Sequence, residues 1–487
     1  MFIPSAYQKA IFEEFKNGTG NVEVNAVAGS GKTSTLLQLL DLAPKNAKCV
    51  FVAFGKAIAD ELKTKVPENT QASTIHSVGM SIVKRYNGGK IKVDTWKIKN
   101  IMDKIPALEI TKGATYSEKS TIYDVRRKIE GMIEICKATM VNYTDMQAVA
   151  KVCDMYNVEF VNGEYTPHFV KVMEKSIENT FVIDYNDMVY LPVVHNMSFP
   201  KWEYVFVDEC QDLNRTQIDF VLRMVAPNGR IFTVGDPYQS IFGFRGADSQ
   251  AMNRLKEALN SKSLPLSVCY RCPPEHIELA KTLVPHIEAF EGHASGKIDR
   301  IKRDKFVESV KDGDLVLCRV NAHLVSAAMQ LIAAGRKATI KGRDIGKNLV
   351  TTVKNLKAWN IEDLFTNLDK WVTQQQDILN RRKASQSAFD AIDDKADVIR
   401  VIADESKTVQ QVIDKIESLF SDEKGTGVIL STVHKAKGLE AKHVYILAPE
   451  LLPLVRKNQT DWEIEQEKNI QYVAYTRAMD HLTFIDK

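Results

Sequence analysis

No stretch of this 487-residue sequence comes near the roughly 20 consecutive apolar residues that a membrane-crossing helix needs. The N-terminal MFIPSAYQKAIFEEF mixes charge into its apolar positions and lacks an apolar h-region, so no secretory leader is expected. Cysteine is scarce: seven residues, odd in number and scattered. That argues against a disulfide framework and for a reducing compartment, cytoplasmic or, depending on the host, nuclear. Cys269 and Cys272 form one C-x-x-C, but no second Cys/His pair stands at zinc spacing. A four-ligand site needs two such pairs, so the expectation is two half-buried thiols in a strand-to-helix turn. A large excess of one charge is missing as well. With 65 basic against 62 acidic residues the net charge is +3, so any basic track for a polyanion must be local. Internal repeats and low-complexity tails are absent too.

What is present is ordinary globular material. Hydrophobic residues at 44% and charged residues at 26% supply more than one core, and the length suits two to four domains. Short β-branched runs alternate with helical patterns. The strands expected are 22–28, 49–54, 204–207, 230–235, 264–269, 315–320, 428–433, 443–447 and 482–485. Near-continuous apolar runs between helices point to buried parallel strands, hence an α/β, doubly wound fold with two sheets. Two stretches break the rhythm. Residues 81 to about 180 are mostly helix-patterned and polar. From Lys347 to Lys424 there is no Gly and no Pro, though the chain holds 24 and 15 of them. Ile361, Leu364, Phe365, Leu368, Trp371 and Val372 there fall at helical spacing, as do Val409, Val412, Ile413, Ile416, Leu419 and Phe420. That reads as a small all-helical insertion.

Gly29-Ser30-Gly31-Lys32-Thr33 follows the first strand and opens a helix-like Ser34–Leu42. A strand, a glycine turn and a helix N-terminus make a phosphate cradle, since backbone N–H groups point inward and the helix dipole favours anions. Lys32 would reach the β/γ-phosphates and the Thr33 hydroxyl would ligate Mg²⁺. Ala26 stands where the generic pattern has its first Gly. Tyr204–Val207 runs apolar and ends in Asp208-Glu209, two carboxylates where ligands bind in such sheets. Asp208 suits Mg²⁺ held with Thr33, and Glu209 suits the base that orients the attacking water. Such a pair is weak by itself. It gains weight about 175 residues after a phosphate loop. The next strand ends in Asp236, with Gln239 placed to sense the γ-phosphate or the water. Phe242, Phe244 and Arg245 follow, suited to base stacking and phosphate contact, or else to an ordinary core.

The ordered blocks AVAGSGKT (26–33), STIHS (73–77), VDECQDLN (207–214), VGDPYQSIFGFRGAD (234–248), CYR (269–271), STVHKAKGLEAKHVYIL (431–447) and QYVAYTRA (471–478) resemble the superfamily 1 helicases of the UvrD/Rep type. They span nearly the whole chain. The form is short and similar to the F-box DNA helicase branch and phage relatives. In that family the first loop Gly is often Ala, which accounts for Ala26. The resemblance implies two RecA-like P-loop domains with parallel sheets, each carrying a mostly helical insertion, and ATP held between them. The first domain would take residues 1–80 and 181–270 with its insertion at 81–180. The second would take 271–346 and 425–487 with its insertion at 347–424. The resemblance also implies nucleotide contacts from Gln8, from Ala28, Gly29, Ser30, Gly31, Lys32, Thr33 and Ser34, and from Tyr270 and Glu440. Arg271 and Arg477 would be arginine fingers. DNA contacts would come from Phe54, Thr74, His76, Phe242, Phe244, Arg245 and His434. Ser34 replaces the family's usual Arg, and the segment from Phe54 to Ala59 departs from the common Thr-Asn-Lys-Ala-Ala.

The expectation is therefore an ATP- and Mg²⁺-dependent motor on single-stranded DNA and at single-/double-strand junctions, travelling 3′→5′ by resemblance alone. Its context would be repair, recombination or replication. A monomer is compatible with this, and protein partners are unidentified. Three rivals stand beside it. A translocase that strips proteins from DNA is motivated by the short second insertion. A nuclease–helicase fusion finds no room in the ten residues after Arg477. A non-enzymatic DNA-binding module is opposed by the intact Lys32, Asp208, Glu209, Gln239, Arg271 and Arg477.

Overall fold

The computed structural model describes residues 3–110, 115–156, 158–161, 163–241, 251–381, 386–420, 427–455 and 459–486. They fall into two compact units, Met1–Val27 with Gly31–Ser267, and Ala28–Ser30 with Val268–Lys487.

In the first unit, β1 (Val22–Ala26), β2 (Cys49–Ala53), β3 (Thr70–Thr74), β4 (Trp202–Val207), β5 (Val225–Gly235) and β6 (Lys262–Leu266) form one sheet. Its order is β3-β2-β4-β5-β1-β6, parallel at every pairing. Successive side chains leave a strand on opposite faces. Val50 and Val52 accordingly enter one core cluster and Cys49, Phe51 and Ala53 the other. A buried parallel sheet needs cover on both faces. On one, α1 (Ala6–Asn17) and α2 (Lys32–Leu42) supply Ile11, Phe15, Leu36 and Leu39. The other is covered by α3 (Ile75–Tyr86), α4 (Tyr116–Thr139), α5 (Asp187–Val194) and α6 (Arg215–Leu222). The helical stretch is no satellite: Ile129, Met132, Phe169 and Val172 share a core with Val205 and Val207 of β4. Helices α3 and α5 approach so closely that a Cβ on Gly79 would stand 1.9 Å from the Met188 carbonyl oxygen. That contact explains a glycine inside a helix, where it costs about 1 kcal/mol relative to alanine.

The second unit repeats the plan. Its strands are β7 (Lys297–Lys302), β8 (Leu315–Cys318), β9 (Ala338–Ile340), β10 (Val428–Thr432), β11 (Ala441–Leu447) and β12 (Ala478–Asp486). They run in the order β7-β12-β11-β8-β10-β9, again all parallel. Helix Arg343–Asn355 runs into the stretch without Gly or Pro, which goes on to form helices at Ile361–Arg381, Gln386–Asp404 and Val409–Leu419. Leu364, Leu368, Ile399, Val412 and Ile416 pack with Val316, Val428 and Leu430 of the sheet. The fold class is α/β with two six-stranded parallel sheets and helical stretches, as the alternating pattern implied.

Three details differ from the sequence expectation. The run 264–269 is two strands: Lys262–Leu266 joins the sheet, and Val268–Cys269 pairs with Glu288–Ala289. The chain leaves the first sheet at Ser267, where the first unit ends. Strands β3, β7 and β9 were not expected. Each lies at a sheet edge, where TQAST, KIDRIK and ATI can keep polar or charged side chains that would defeat a central strand. Cys269 and Cys272 are fully buried, not half-buried, because the turn that carries them is packed inside its unit. Among the described residues no helix is long and apolar enough to cross a membrane.

Candidate functional site

The loop after β1 closes with Gly31 in the left-handed region, φ 80° and ψ 37°, as the N-cap of α2. A side chain there would be strained, and this turn sets Lys32 and Thr33 at the helix N-terminus. β1 and β4 flank β5, with Val24 opposite Val234 and Val207 opposite Thr233. That register brings the C-terminal ends of the three strands side by side. The Thr33 hydroxyl donates to Asp208 Oδ2 at 2.6 Å. Lys32 Nζ is 3.4 Å from Glu209 Oε1. Glu209 is itself left-handed, φ 53°, a conformation that costs a non-glycine residue about 1–3 kcal/mol and collects at functional sites. Burial pushes the Asp208 carboxyl up to about 6, with the Glu209 charge adding to it, while the Thr33 hydrogen bond and Lys32 pull it down. Burial raises Asp236 in the same way.

Gln211 was given no role in the sequence reading. Its Nε2 donates to Glu209 Oε2 at 2.6 Å, and its Oε1 accepts from the Asp236 backbone N–H at 3.0 Å. It thereby ties the ends of β4 and β5 and aims the Glu209 carboxylate. Its place in VDECQDLN, two residues after Glu209, was the available signal. Gln239 Nε2 donates to Asp236 Oδ2 at 2.7 Å. Gln8 is buried in the capping box of α1, with Nε2 on Thr35 Oγ1 at 3.0 Å and Oε1 accepting from the Ser5 N–H. Ser34 is exposed on α2.

In the second unit, α7 (Asp461–Tyr475) leads into β12 through Thr476 and Arg477. Arg271 Nε donates to Glu440 Oε2 at 2.6 Å and Nη1 to the Thr476 carbonyl at 3.2 Å. Arg477 is buried; Nε donates to the Val473 carbonyl at 2.9 Å and Nη2 to Thr476 Oγ1 at 3.3 Å. The two guanidiniums thus converge on Thr476. Tyr270 packs on Phe290 with ring centroids 4.9 Å apart. Tyr270 N–H also donates to the carbonyl of Gly29, whose φ is 65°. His434 follows β10 in the same unit, half-buried.

Of the residues expected to touch DNA, Phe54 and His76 line one cavity of about 490 Å³ in the first unit. Phe54 is 46% exposed just beyond β2, and burial lowers the His76 imidazole. Thr74 caps α3, accepting from the Ser77 N–H at 3.2 Å. Asn214, Thr216 and Gln217 at the start of α6 also line the cavity. Phe242, Phe244 and Arg245 lie outside the described residues.

A phosphate loop with acidic residues at neighbouring strand ends, on a parallel α/β sheet, is the arrangement of a P-loop nucleotide-binding protein. Residues 7–260, just over half of the chain, match the family described as UvrD/REP helicase N-terminal domain. The chain belongs to the UvrD/REP helicase family, whose members are ATP-dependent DNA helicases. It is similar to F-box DNA helicase 1 of Gallus gallus, 25% identical over 94% of this chain and 46% of that protein. It is also similar to F-box DNA helicase protein 1 of Schizosaccharomyces pombe, 23% identical over 98% of this chain and 57% of that protein. ATP-dependent DNA helicase PcrA of Staphylococcus epidermidis is 23% identical over 96% of this chain and 82% of that protein. The chain spans about half the length of the F-box relatives it matches. Among solved structures, the Arterivirus nonstructural protein 10 helicase aligns over 97% of this chain and 61% of its own, with 12% identity and a TM-score of 0.35. That likeness is too slight to inform the site.

Proposed function

We propose that the chain is an ATP-driven motor that travels along single-stranded DNA and unwinds duplexes at single-/double-strand junctions, 3′→5′ in the direction its family resemblance implies. The observation that carries this reading is the cluster of Lys32, Thr33, Asp208 and Glu209 where α2 begins and β4 ends. The Thr33 hydroxyl and Asp208 carboxylate are hard oxygen donors of the kind Mg²⁺ takes. A cation there offsets the burial that holds the Asp208 carboxyl near 6. Bound there, Mg²⁺ would neutralise charge on the β- and γ-phosphates.

Lys32 then has two partners to choose between. In the structure its ammonium stands 3.4 Å from Glu209 Oε1. With the triphosphate present it turns to the phosphate oxygens, and Glu209 is released to orient the attacking water and accept its proton. Gln211 keeps that carboxylate aimed while this happens. Arg271 and Arg477, which the family resemblance makes arginine fingers, carry the positive charge that stabilises a phosphoryl group in transfer. Phe54 and His76 hold unpaired bases, for which stacking is worth about 1–3 kcal/mol each regardless of sequence, as a motor requires. The helical insertions of this motor span residues 81–180 and 347–424. The test is ATP hydrolysis with and without single-stranded DNA, followed by unwinding of duplexes tailed at either end. Stimulation by DNA and preference for a 3′ tail are expected. Equal hydrolysis with and without DNA sinks the reading.

A further inference from the structure

The wall of the 490 Å³ cavity comes from elements far apart in sequence: the residue after β2, the first turn of α3, the last turns of α4, and the starts of α5 and α6. The four helices share one apolar core, but apolar burial is non-directional, so a directional contact is needed to fix their register as well. Behind the cavity lies a group of buried charges that the ATP chemistry does not use. Asp187, the first residue of α5 and fully buried, accepts at both oxygens. Lys97 Nζ donates to Oδ2 at 2.5 Å, and Lys137 Nζ, on α4, donates to Oδ1 at 2.7 Å. Each ammonium is completed by further acceptors. Lys97 also donates to the carbonyls of Ser176 and Asn179, at 2.7 and 2.9 Å. Lys137 also donates to Ser176 Oγ at 3.0 Å and to Asp184 Oδ2 at 3.1 Å. The backbone of Lys137 carries the link onward, because its carbonyl accepts the hydroxyl of Thr216 at the start of α6.

A fully satisfied ionic group of this kind is an expensive way to fill a core. Desolvation costs several kcal/mol per ion, and apolar residues of similar volume often do as well or better. What it supplies is direction, since a carboxylate with both oxygens engaged by donors from two different segments has one arrangement. Asp187 follows Asn186, which lines the cavity. Lys137 and Ala138 line it from α4, and Thr216 lines it from α6. We infer that the Lys97–Asp187–Lys137 network is a positioning device for this cavity, and that Lys97, which does not line it, sets affinity for single-stranded DNA through Asp187 and Lys137. The inference rests on the reading of the cavity as a DNA site.

The experiment uses the full chain and the variants Lys97→Met and Ser176→Ala. The readouts are the Kd for a fluorescein-labelled single-stranded oligothymidylate across a salt series, the DNA-free ATPase rate and the KM for ATP. Coupling through packed networks changes affinity by about 2–30-fold. Lys97→Met is expected to raise the DNA Kd about tenfold, with DNA-free hydrolysis and the ATP KM within about twofold of the parent. The salt slope should not move, because no phosphate contact is removed. A lost direct contact to a single strand would lower it by about 0.7. Ser176→Ala should shift Kd the same way by about threefold. An unchanged Kd in a folded variant overturns the inference. So does a parallel loss of ATP and DNA affinity, which is the mark of a merely structural role, or a reduced salt slope. If Lys97→Met fails to fold, an unchanged Kd in Ser176→Ala overturns it alone. A parent chain that binds no oligothymidylate overturns the DNA-site reading itself, and this inference with it.

Discussion

Lys32 stands 3.4 Å from Glu209 with the two side chains 10% and 25% exposed, whereas Lys97 stands 2.5 Å from Asp187 with both sealed from solvent. The two pairs have the same chemistry and lie in the same unit. In the first, the contact is long and the carboxylate sits on a left-handed residue, and on the proposed reading a phosphate takes its place. Its neighbour Asp208 is held up near 6 by burial and the Glu209 charge, against the pull of the Thr33 hydroxyl and Lys32. In the second, every polar atom has a short partner and nothing is left to bind. Burial lowers the Lys97 ammonium against the pull of Asp187. For Lys137 burial also pulls downward, but Asp187 and Asp184 outweigh it and the net direction is up. The first cluster is partly open to solvent; the second is dry and saturated.

The sharpest way to break this contrast is to remove each lysine's role and see which property falls. Lys32→Ala should cut ATP hydrolysis by at least about 10³-fold, the scale of losing a charge contact to a transferring phosphoryl group. The melting temperature should stay within a few degrees, since a long, partly exposed ion pair is worth about 1 kcal/mol or less. Steady-state hydrolysis together with a thermal melt reads both. A large loss of stability with residual turnover would reverse the assignment of the two clusters. Asp187→Asn should do the opposite. It leaves two buried ammoniums with Asp184 as their carboxylate, and breaking a buried pair costs about 3–5 kcal/mol. Urea unfolding measures it, and a cost below about 1 kcal/mol would mean that the network does not hold the helices.

The same contrast decides what could be read in the sequence. Lys32 and Thr33 belong to one short block, and Asp208 and Glu209 end an apolar strand, so their chemistry is written locally. Lys97 and Lys137 reach Asp187 across 90 and 50 residues, and nothing in a helical pattern marks a lysine as buried. The central strands were legible because both faces are covered and the runs are apolar. The edge strands β3, β7 and β9 were not, because polar or charged residues interrupt TQAST, KIDRIK and ATI and leave no continuous apolar run. Arg477 belonged to a recognisable block, yet its complete burial depends on carbonyls from Val473 and Leu439 that no spacing rule brings together.

A smaller effect tests whether helix spacing, rather than charge alone, matters to the cavity. Gly79 lies one turn beyond His76 on α3, and a methyl group there meets the Met188 carbonyl oxygen at 1.9 Å and Phe220 at 3.3 Å. A backbone carbonyl cannot rotate away. Gly79→Ala should therefore cost about 1–3 kcal/mol despite alanine's better helix propensity. It should also weaken oligothymidylate binding more than ATP binding, because α3 and α5 both line the cavity. Stabilisation by the substitution would show that the helices are not in close contact.

The finest distinction lies inside the reactive cluster. Gln211 holds Glu209 through Nε2 and the end of β5 through its Oε1. It behaves like the architectural network in miniature, placed beside the chemistry. If its work is to aim the carboxylate, Gln211→Ala should lower kcat for ATP hydrolysis about tenfold while the ATP KM stays within about twofold, since a small misplacement of a positioned group costs rate before it costs binding. Gln211→Glu should be worse than Gln211→Ala: it keeps an acceptor for the Asp236 N–H but sets a second negative charge against Glu209, where the amide donated. A rise in KM with kcat unchanged would instead make Gln211 part of nucleotide binding, and the line drawn between reactive and positioning residues in this unit would have to move to include it.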